Sequence, residues 1–258
     1  MITKPSVSII VPAYNEELLL QSVILELYFF CKSSLITFEI IIIDDCSTDQ
    51  TNSIGLQLVG IYPEIRLIRN DRNLGCHPSV RIGFDSAVME WMVFLPGDGQ
   101  IPPSIISQAF SLLPSTDLVC TDRHQRSDKL HRILISNTYN IILRLVTGLK
   151  IQDFDSAILI RRDMYSKIRD CIRSHSASIS VELAVYTTIS GGRVGEIKIA
   201  HRPRRAGVER GLNWRDIRGV PSNLFRMALL LAPYRIKNIL KKNIEKSVIR
   251  ENDQRLGN

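Results

Sequence analysis

The chain predicts an α/β fold, a doubly wound and mostly parallel sheet flanked by helices, with a helical extension at its C-terminal end. Two patterns carry that prediction. Apolar runs of strand length alternate with stretches of helical periodicity through the first 150 residues, and the runs are apolar on both faces, as strands buried between two helical layers must be. The βαβα order implies right-handed crossovers between parallel strands. At 258 residues, 45% of them hydrophobic and 23% charged, the chain is long enough for one sizeable core.

The elements follow in order. Val7–Val11 is the first strand, with a helical pattern over Glu16–Phe30. Phe38–Ile43 precedes a helix after Thr48, Ile65–Ile68 a helix over Pro78–Val88, Met92–Leu95 a helix over Pro103–Leu113, and Leu118–Cys120 a helix over Leu130–Leu145. Beyond residue 150 the pattern is less regular. Ser156–Ile160 predicts a strand, Asp163–Ile168 a short helix, Ser180–Ile189 a helix closed by Gly191-Gly192, and Arg193–Ala200 another strand. The chain divides into a catalytic domain over 1–220 and a basic amphipathic tail over 221–258. In the tail, Ile236, Ile239, Leu240, Ile244 and Val248 recur at helical spacing among Lys237, Lys241, Lys242, Lys246 and Arg250.

Charge is unevenly distributed. Residues 201–258 hold 14 Lys and Arg against 5 Asp and Glu, a net of +9; the whole chain is +7, so residues 1–200 carry −2. A basic amphipathic helix suits an anionic membrane surface or a lipid phosphate, and equally packing on the catalytic domain or a second subunit. Few aromatics are interleaved with those cations, which argues against nucleic acid. Five cysteines without a CxxC pair argue against a disulfide framework or zinc cluster and for a reducing compartment. No targeting signal or spanning run stands out. The expected location is the cytoplasm, peripheral on the inner face of the membrane.

In a doubly wound sheet ligands bind at the carboxyl ends of the strands. There the chain places Tyr14-Asn15-Glu16, Asp44-Asp45, Asn70–Asn73 and Gly97-Asp98-Gly99-Gln100. A carboxylate at a strand end can accept from a nucleobase imide or ribose hydroxyl; helix capping accounts for Ser47 or Thr48 but not for two adjacent acids on a buried strand. Asp98 could hold a divalent metal with Gln100 as an oxygen ligand, since Mg²⁺ or Mn²⁺ bridging a diphosphate takes only one or two carboxylates from protein. A Gly-Asp-Gly seen alone reads first as a tight turn. Neither GxGxxG nor GxxxxGK[ST] is present, so dinucleotide oxidoreductases and P-loop NTPases are poorly supported.

Together these segments resemble the family 2 glycosyltransferases of GT-A fold, most nearly the dolichyl-phosphate mannose synthase and bacterial polyprenyl-phosphate sugar transferase group. The matching pieces are Val11–Glu16, Asp44–Thr51, Asn73-Leu74-Gly75, Asp98–Gln100 with Pro102-Pro103, Asp153–Ser156 and His201–Gly207, in family order across residues 6–207. The resemblance implies that Pro12, Tyr14 and Glu16 line the nucleotide pocket. Asp45 contacts the base, supported by Asp44 and Asp49, with Asn73 nearby. Asp98 binds Mg²⁺ or Mn²⁺ with help from Gln100. Asp155 and Ser156 meet the acceptor, Arg204 and Arg205 close over the diphosphate, and Arg123 and Arg132 match basic positions of the group. Three positions depart from its pattern: Pro96-Gly97-Asp98 replaces Asp-x-Asp, Ser156-Ala157-Ile158-Leu159 replaces Ser-Gly-Phe-Arg, and Val208-Glu209 replaces the Ser-Lys of the closing loop.

The implied reaction is inverting transfer from a nucleotide-diphosphate sugar to a polyprenyl phosphate or a lipid-linked or cell-surface glycan. A lipid phosphate needs no strong base. A sugar hydroxyl needs a carboxylate, with Asp155 the first candidate and Glu182 the second, although Glu182 also reads as a helix-surface acid. The alternative is a catalytically impaired partner subunit of the same fold that binds nucleotide or glycan, motivated by Pro96. His201, Trp91 and Trp214 read as structural or as contacts of undecided kind, and oligomeric state is open.

Overall fold

A computed structural model describes residues 5–34, 36–124, 130–173, 179–206 and 228–229, the side chains of residues 124 and 130–132 excepted. The tail helix beyond residue 229, Trp214, Val208-Glu209 and the Arg132 side chain lie outside the described residues, so the expected boundary at residue 220 does as well.

The seven strands among the described residues are β1 (Val7–Ala13), β2 (Phe38–Asp44), β3 (Ile65–Arg69), β4 (Trp91–Phe94), β5 (Leu118–His124), β6 (Ile158–Arg161) and β7 (Val194–Ala200). The helices are α1 (Leu20–Ser33), α2 (Thr51–Ile61), α3 (Cys76–Ser86), α4 (Ile105–Ala109), α5 (Leu130–Thr147), α6 (Arg162–Ile168) and α7 (Ile179–Ile189). One sheet runs β3-β2-β1-β4-β6-β5-β7. β1 to β4 are mutually parallel, β6 runs antiparallel to β4 and β5, and β7 is parallel to β5.

Every residue of β1, β2 and β4 is buried, as the two-faced apolar runs require. Alternation sends Ile9, Val11, Ile40, Ile42 and Val93 to a core built with α1, α2 and α4. Ile10, Ile41, Ile43, Met92 and Phe94 go to a second core with α3, α5, α6 and α7. The polar exceptions close the far end of the sheet. Ser8 donates to Glu39 at 2.6 Å, and Arg66 reaches the other Glu39 oxygen at 2.8 Å.

Element boundaries depart from the sequence reading where side chains intercept the backbone. α1 begins at Leu20, not Glu16, and the Glu16 and Glu17 amides before it donate to Thr51 at the start of α2 and to Asp49 of the preceding loop. α4 stops at Ala109, and a 3₁₀ turn over Leu113–Ser115 contains Pro114, which has no amide to continue a helix.

The register fixes which ends meet. Phe94 at the end of β4 faces Ile158 at the start of β6, Ile158 also faces Cys120, and His124 at the end of β5 faces Ala200 at the end of β7. The segments after β1, β2, β4 and β7 and the segment before β6 therefore share one rim.

Candidate active site

The rim is assembled from four loops. The first two are stitched together. Asn15 sits in the left-handed region at φ 50°, and its side-chain oxygen accepts the Thr48 amide at 2.7 Å while its own amide donates to Ser47 at 2.9 Å. Glu17 accepts the Gln50 amide at 3.0 Å. Asp49 accepts from Thr51 and from the Glu17 amide; burial opposes its charge, but these donors outweigh it and hold the carboxyl below its ordinary value.

Asp45 binds the third loop. One oxygen accepts Asn70 Nδ2 and the Leu74 amide, each at 2.8 Å, and the other accepts the Gly75 amide at 2.8 Å. Gly75, at φ 92°, turns the chain into α3 at a position few side chains would tolerate. Asn73 is exposed on that loop. Asp44 differs from its neighbour. It is fully buried, one oxygen accepts the Ser47 amide at 2.9 Å, and Oδ2 has no hydrogen-bond partner, the nearest guanidinium nitrogen of Arg69 being 3.6 Å away. A cavity of about 340 Å³ opens beside this loop against Arg69, Asn70, Arg72 and Leu74.

The fourth loop carries Asp98. A Cβ on Gly97 would stand 2.9 Å from the Pro12 carbonyl oxygen, so only glycine lets this loop reach the end of β1. The Asp45 amide in turn donates to Ala13 O at 2.9 Å. Residues 45 and 98, far apart in the chain, thus belong to loops that meet the last two residues of β1, one at Ala13 and the other at Pro12. Asp98 is half-buried, and one oxygen accepts the Gln100 amide at 3.0 Å.

His201–Ala206 crosses the rim as a strap. Arg202 N donates to Gln100 O at 2.8 Å, and Gln100 Nε2 reaches Arg202 O at 3.3 Å. Arg204, mostly buried, places a guanidinium nitrogen 2.6 Å from Glu16. Arg202 and the exposed Arg205 both pair with Glu26 of α1, at 2.6 and 3.2 Å. The strap thus links the loop of Glu16 to that of Gln100, which stands against Pro12 through Gly97, and Tyr14 is half-buried.

Before β6, Asp153 is gripped by Arg123 through two bonds of 2.6 and 3.1 Å. Asn140 of α5 accepts the Phe154 amide at 3.0 Å. Asp155 is exposed at this turn. Glu182 does not come out as the surface acid its helical spacing also allowed. α7 is buried on nearly every side, and the Glu182 carboxylate accepts the Arg173 amide at 2.9 Å. Its helix nonetheless abuts the site, with Ser180 Oγ 3.4 Å from Ser156 O.

A model of glycosyl transferase family 2 matches residues 8–169. The chain belongs to that family. An undecaprenyl-phosphate 4-deoxy-4-formamido-L-arabinose transferase of Pectobacterium carotovorum is 30% identical over 209 residues, 80% of this chain and 62% of the relative. One of the same description from Yersinia enterocolitica is 29% identical over 78% of this chain and 61% of its own length. The chain thus spans about three fifths of these curated relatives. Among solved structures, glucosyl-3-phosphoglycerate synthase of Mycobacterium tuberculosis with phosphoglyceric acid superposes with a TM-score of 0.65 at 16% identity, over 87% of this chain and 80% of that one. The mannosyltransferase PcManGT of Pyrobaculum calidifontis, in complex with GDP-Man and Mn²⁺, gives 0.58 at 16% over 80% and 59%. The fold of this family 2 chain is GT-A.

Sequence placed Asn15 and Asn70 at the rim without giving them roles, and it did not single out Ser79 or Glu26. Asn70 donates to Asp45 and to Ser79 Oγ, Glu26 anchors two strap arginines, and Asn15 joins two loops through a left-handed turn. An asparagine next to a strand end was the one available signal, because asparagine tolerates that conformation. Glu26 gave none, being one acid on an amphipathic helix.

Proposed function

We propose that the chain transfers a sugar, with inversion, from a nucleoside-diphosphate sugar to a polyprenyl phosphate at the inner face of a membrane, residues 1–220 forming the catalytic domain and 221–258 a basic tail. The observation that carries this reading is the convergence of Asp98 and Arg204 on the end of β1, where Arg204 stands 2.6 Å from Glu16 and Gly97 closes on Pro12. A guanidinium there suits a diphosphate, and a carboxylate on the neighbouring loop suits a divalent metal arriving with it. The names of the similar transferases, which specify undecaprenyl phosphate, support the acceptor class.

The nucleotide would lie along Tyr14, Glu16 and the Asn70–Gly75 loop. Asp45 serves this pocket by fixing that loop, and its Oδ2, which accepts only the Gly75 amide, keeps a lone pair for a base imide. Asp98 with Gln100 offers a carboxylate and an amide oxygen, a hard donor set that fits Mg²⁺ or Mn²⁺ arriving with the diphosphate. No group of three or more His, Cys, Asp or Glu side chains suited to a metal occurs among the described residues. When bound, such a metal neutralises charge on the leaving diphosphate.

Arg204 and Arg205 add fixed positive charge where the leaving group's charge develops, Arg204 exchanging Glu16 for phosphate oxygens. An acceptor phosphate oxygen attacks the anomeric carbon opposite the diphosphate. The carbon–oxygen bond to the diphosphate breaks, and the nucleoside diphosphate leaves. The acceptor is already an anion, so no proton is removed. Asp155, exposed at the Asp153–Ser156 turn, would act as base only toward a hydroxyl acceptor.

The test is a panel of labelled nucleotide sugars incubated with the purified protein, Mn²⁺ and a short polyprenyl phosphate. Sugar should pass into the organic phase. Failure of every donor, with nucleoside diphosphate still bound, would overturn the reading; transfer to a glycan hydroxyl instead would overturn its acceptor half.

A further inference from the structure

We infer that Glu26 of α1 is a positioning residue: it tethers the strap, so that Arg204 can change partners without the strap leaving the rim. The strap rests on two carboxylates in different settings. Glu16 pairs with Arg204 at 2.6 Å, and both side chains are largely buried. Glu26 pairs with Arg202 at 2.6 Å through Oε1 and with Arg205 at 3.2 Å through Oε2, and all three side chains are partly exposed. The two arginines it holds stand on either side of Arg204 in the chain.

That division matches what transfer asks of the strap. A diphosphate that takes Arg204 breaks the Glu16 pair. Two backbone bonds of Arg202 then still join the strap to the loop of Asp98: its amide donates to Gln100 O at 2.8 Å, and its carbonyl accepts Gln100 Nε2 at 3.3 Å. Glu26 holds the side chain of that same residue. Arg205, on the longer bond, can pass to a phosphate oxygen while Arg202 stays in place. α1 supports the Asp98 loop as well. A Cβ on Gly99 would lie 3.1 Å from Val23, which precedes Glu26 by three residues and so shares its helix face. One face of α1 thus carries both the strap and the loop of Asp98. An exposed ion pair adds little to global stability, so the contribution of Glu26 is to geometry. Its effect on rate rests on the transferase reading; its hold on the strap does not.

The experiment is hydrogen exchange, read by mass spectrometry on the strap peptide, with turnover measured on the same proteins. Glu26→Gln keeps the size of the side chain and removes its charge. The Arg202 amide should exchange about 10-fold faster in this variant, with the amides of β2 unchanged. Tm should stay within about 3 °C of wild type. Glu26→Asp, which keeps the charge, should recover part of the protection. Glu26→Gln should lower kcat/KM about 10-fold alone but less than about 2-fold in an Arg204→Ala background, because Glu26 acts through Arg204. Unchanged exchange at Arg202 would overturn the inference. So would a loss of turnover that is undiminished without Arg204, or a larger fall in Tm, which would make Glu26 a residue of the fold. A wild type that transfers no sugar would sink the transferase reading alone, and the exchange rates would still decide the tether.

Discussion

The two halves of the sheet hold their functional loops by different means. In β1 to β4, loop backbone is bound to side chains: the amides of Glu16, Glu17, Ser47, Thr48, Leu74 and Gly75 all donate to side-chain oxygens. In β5 to β7 such bonds recur at Gln152, Phe154 and Asp155, but ion pairs are added, Arg123 with Asp153 and the strap arginines with Glu16 and Glu26. Amide-to-carboxylate bonds fix geometry before any ligand arrives. An arginine held by a carboxylate can trade that partner for a phosphate. The difference teaches that the first half is a preformed receptor and the second an exchangeable clamp.

The largest effect should come from the residue where the halves meet. Asp98→Ala is expected to reduce kcat/KM by roughly 10³-fold or more, several kcal/mol of charge stabilisation being lost. Activity near wild type would remove the metal assignment. Arg204→Ala should cost about 10²-fold, with Arg204→Lys recovering only part because an ammonium lacks the planar two-pronged grip on phosphate. If the clamp is exchangeable, raising salt should weaken nucleoside-diphosphate binding to wild type more than to Arg204→Ala. Equal salt dependence would break the contrast.

Stability probes separate the halves further. Arg123→Met leaves Asp153 nearly buried and without its guanidinium partner, the Asn140 side chain and the Asp155 amide remaining as donors at 3.5 and 3.1 Å. Loss of one partner from a buried pair costs about 3 kcal/mol, or roughly 6–12 °C in Tm for a domain of this size. Donor affinity should not follow, since the pair belongs to the acceptor turn. Asn70→Ala should do the reverse. Removing its bonds to Asp45 and Ser79 costs about 1–2 kcal/mol, and because Asp45 holds the Asn73 loop, the donor Kd should rise several-fold. Calorimetry with nucleoside diphosphate reads both; coupled losses in both variants would mean the halves are not separable.

The same division explains what the sequence disclosed. Buried strands announce themselves by composition, so β1, β2 and β4 were placed within two residues at their ends. Asp44-Asp45 and Asp98 follow from standing at strand ends, a local property. The fate of their oxygens is not local. That Asp45 is occupied by Leu74 and Gly75 while Asp44 Oδ2 is left without a donor depends on contacts 25 to 30 residues away. Glu182 shows the limit from the other side. Its spacing allowed a surface helix, but burial on every side of α7 is a tertiary fact. The antiparallel insertion of β6 was equally invisible, because pairing direction leaves no mark on a four-residue apolar run.

The smallest effect probes the preformed half without mutation. None of the five cysteines is in a disulfide. Burial pushes the Cys31 thiol up to about 12 and raises that of Cys120 as well, so neither forms thiolate near pH 8 and neither should react with Ellman's reagent until the chain unfolds. Cys46, half-buried at φ 60° between Asp45 and Ser47, and the exposed Cys76 beside Gly75 flank the donor loops, whereas the exposed Cys171 lies by α6. Nucleoside diphosphate with Mn²⁺ should slow modification of Cys46 and Cys76 by about the fraction of sites occupied and leave Cys171 unchanged, as mapped by mass spectrometry. Equal protection of all three would mean that ligand stiffens the whole chain; protection of Cys171 alone would put the nucleotide outside the β1–β4 rim.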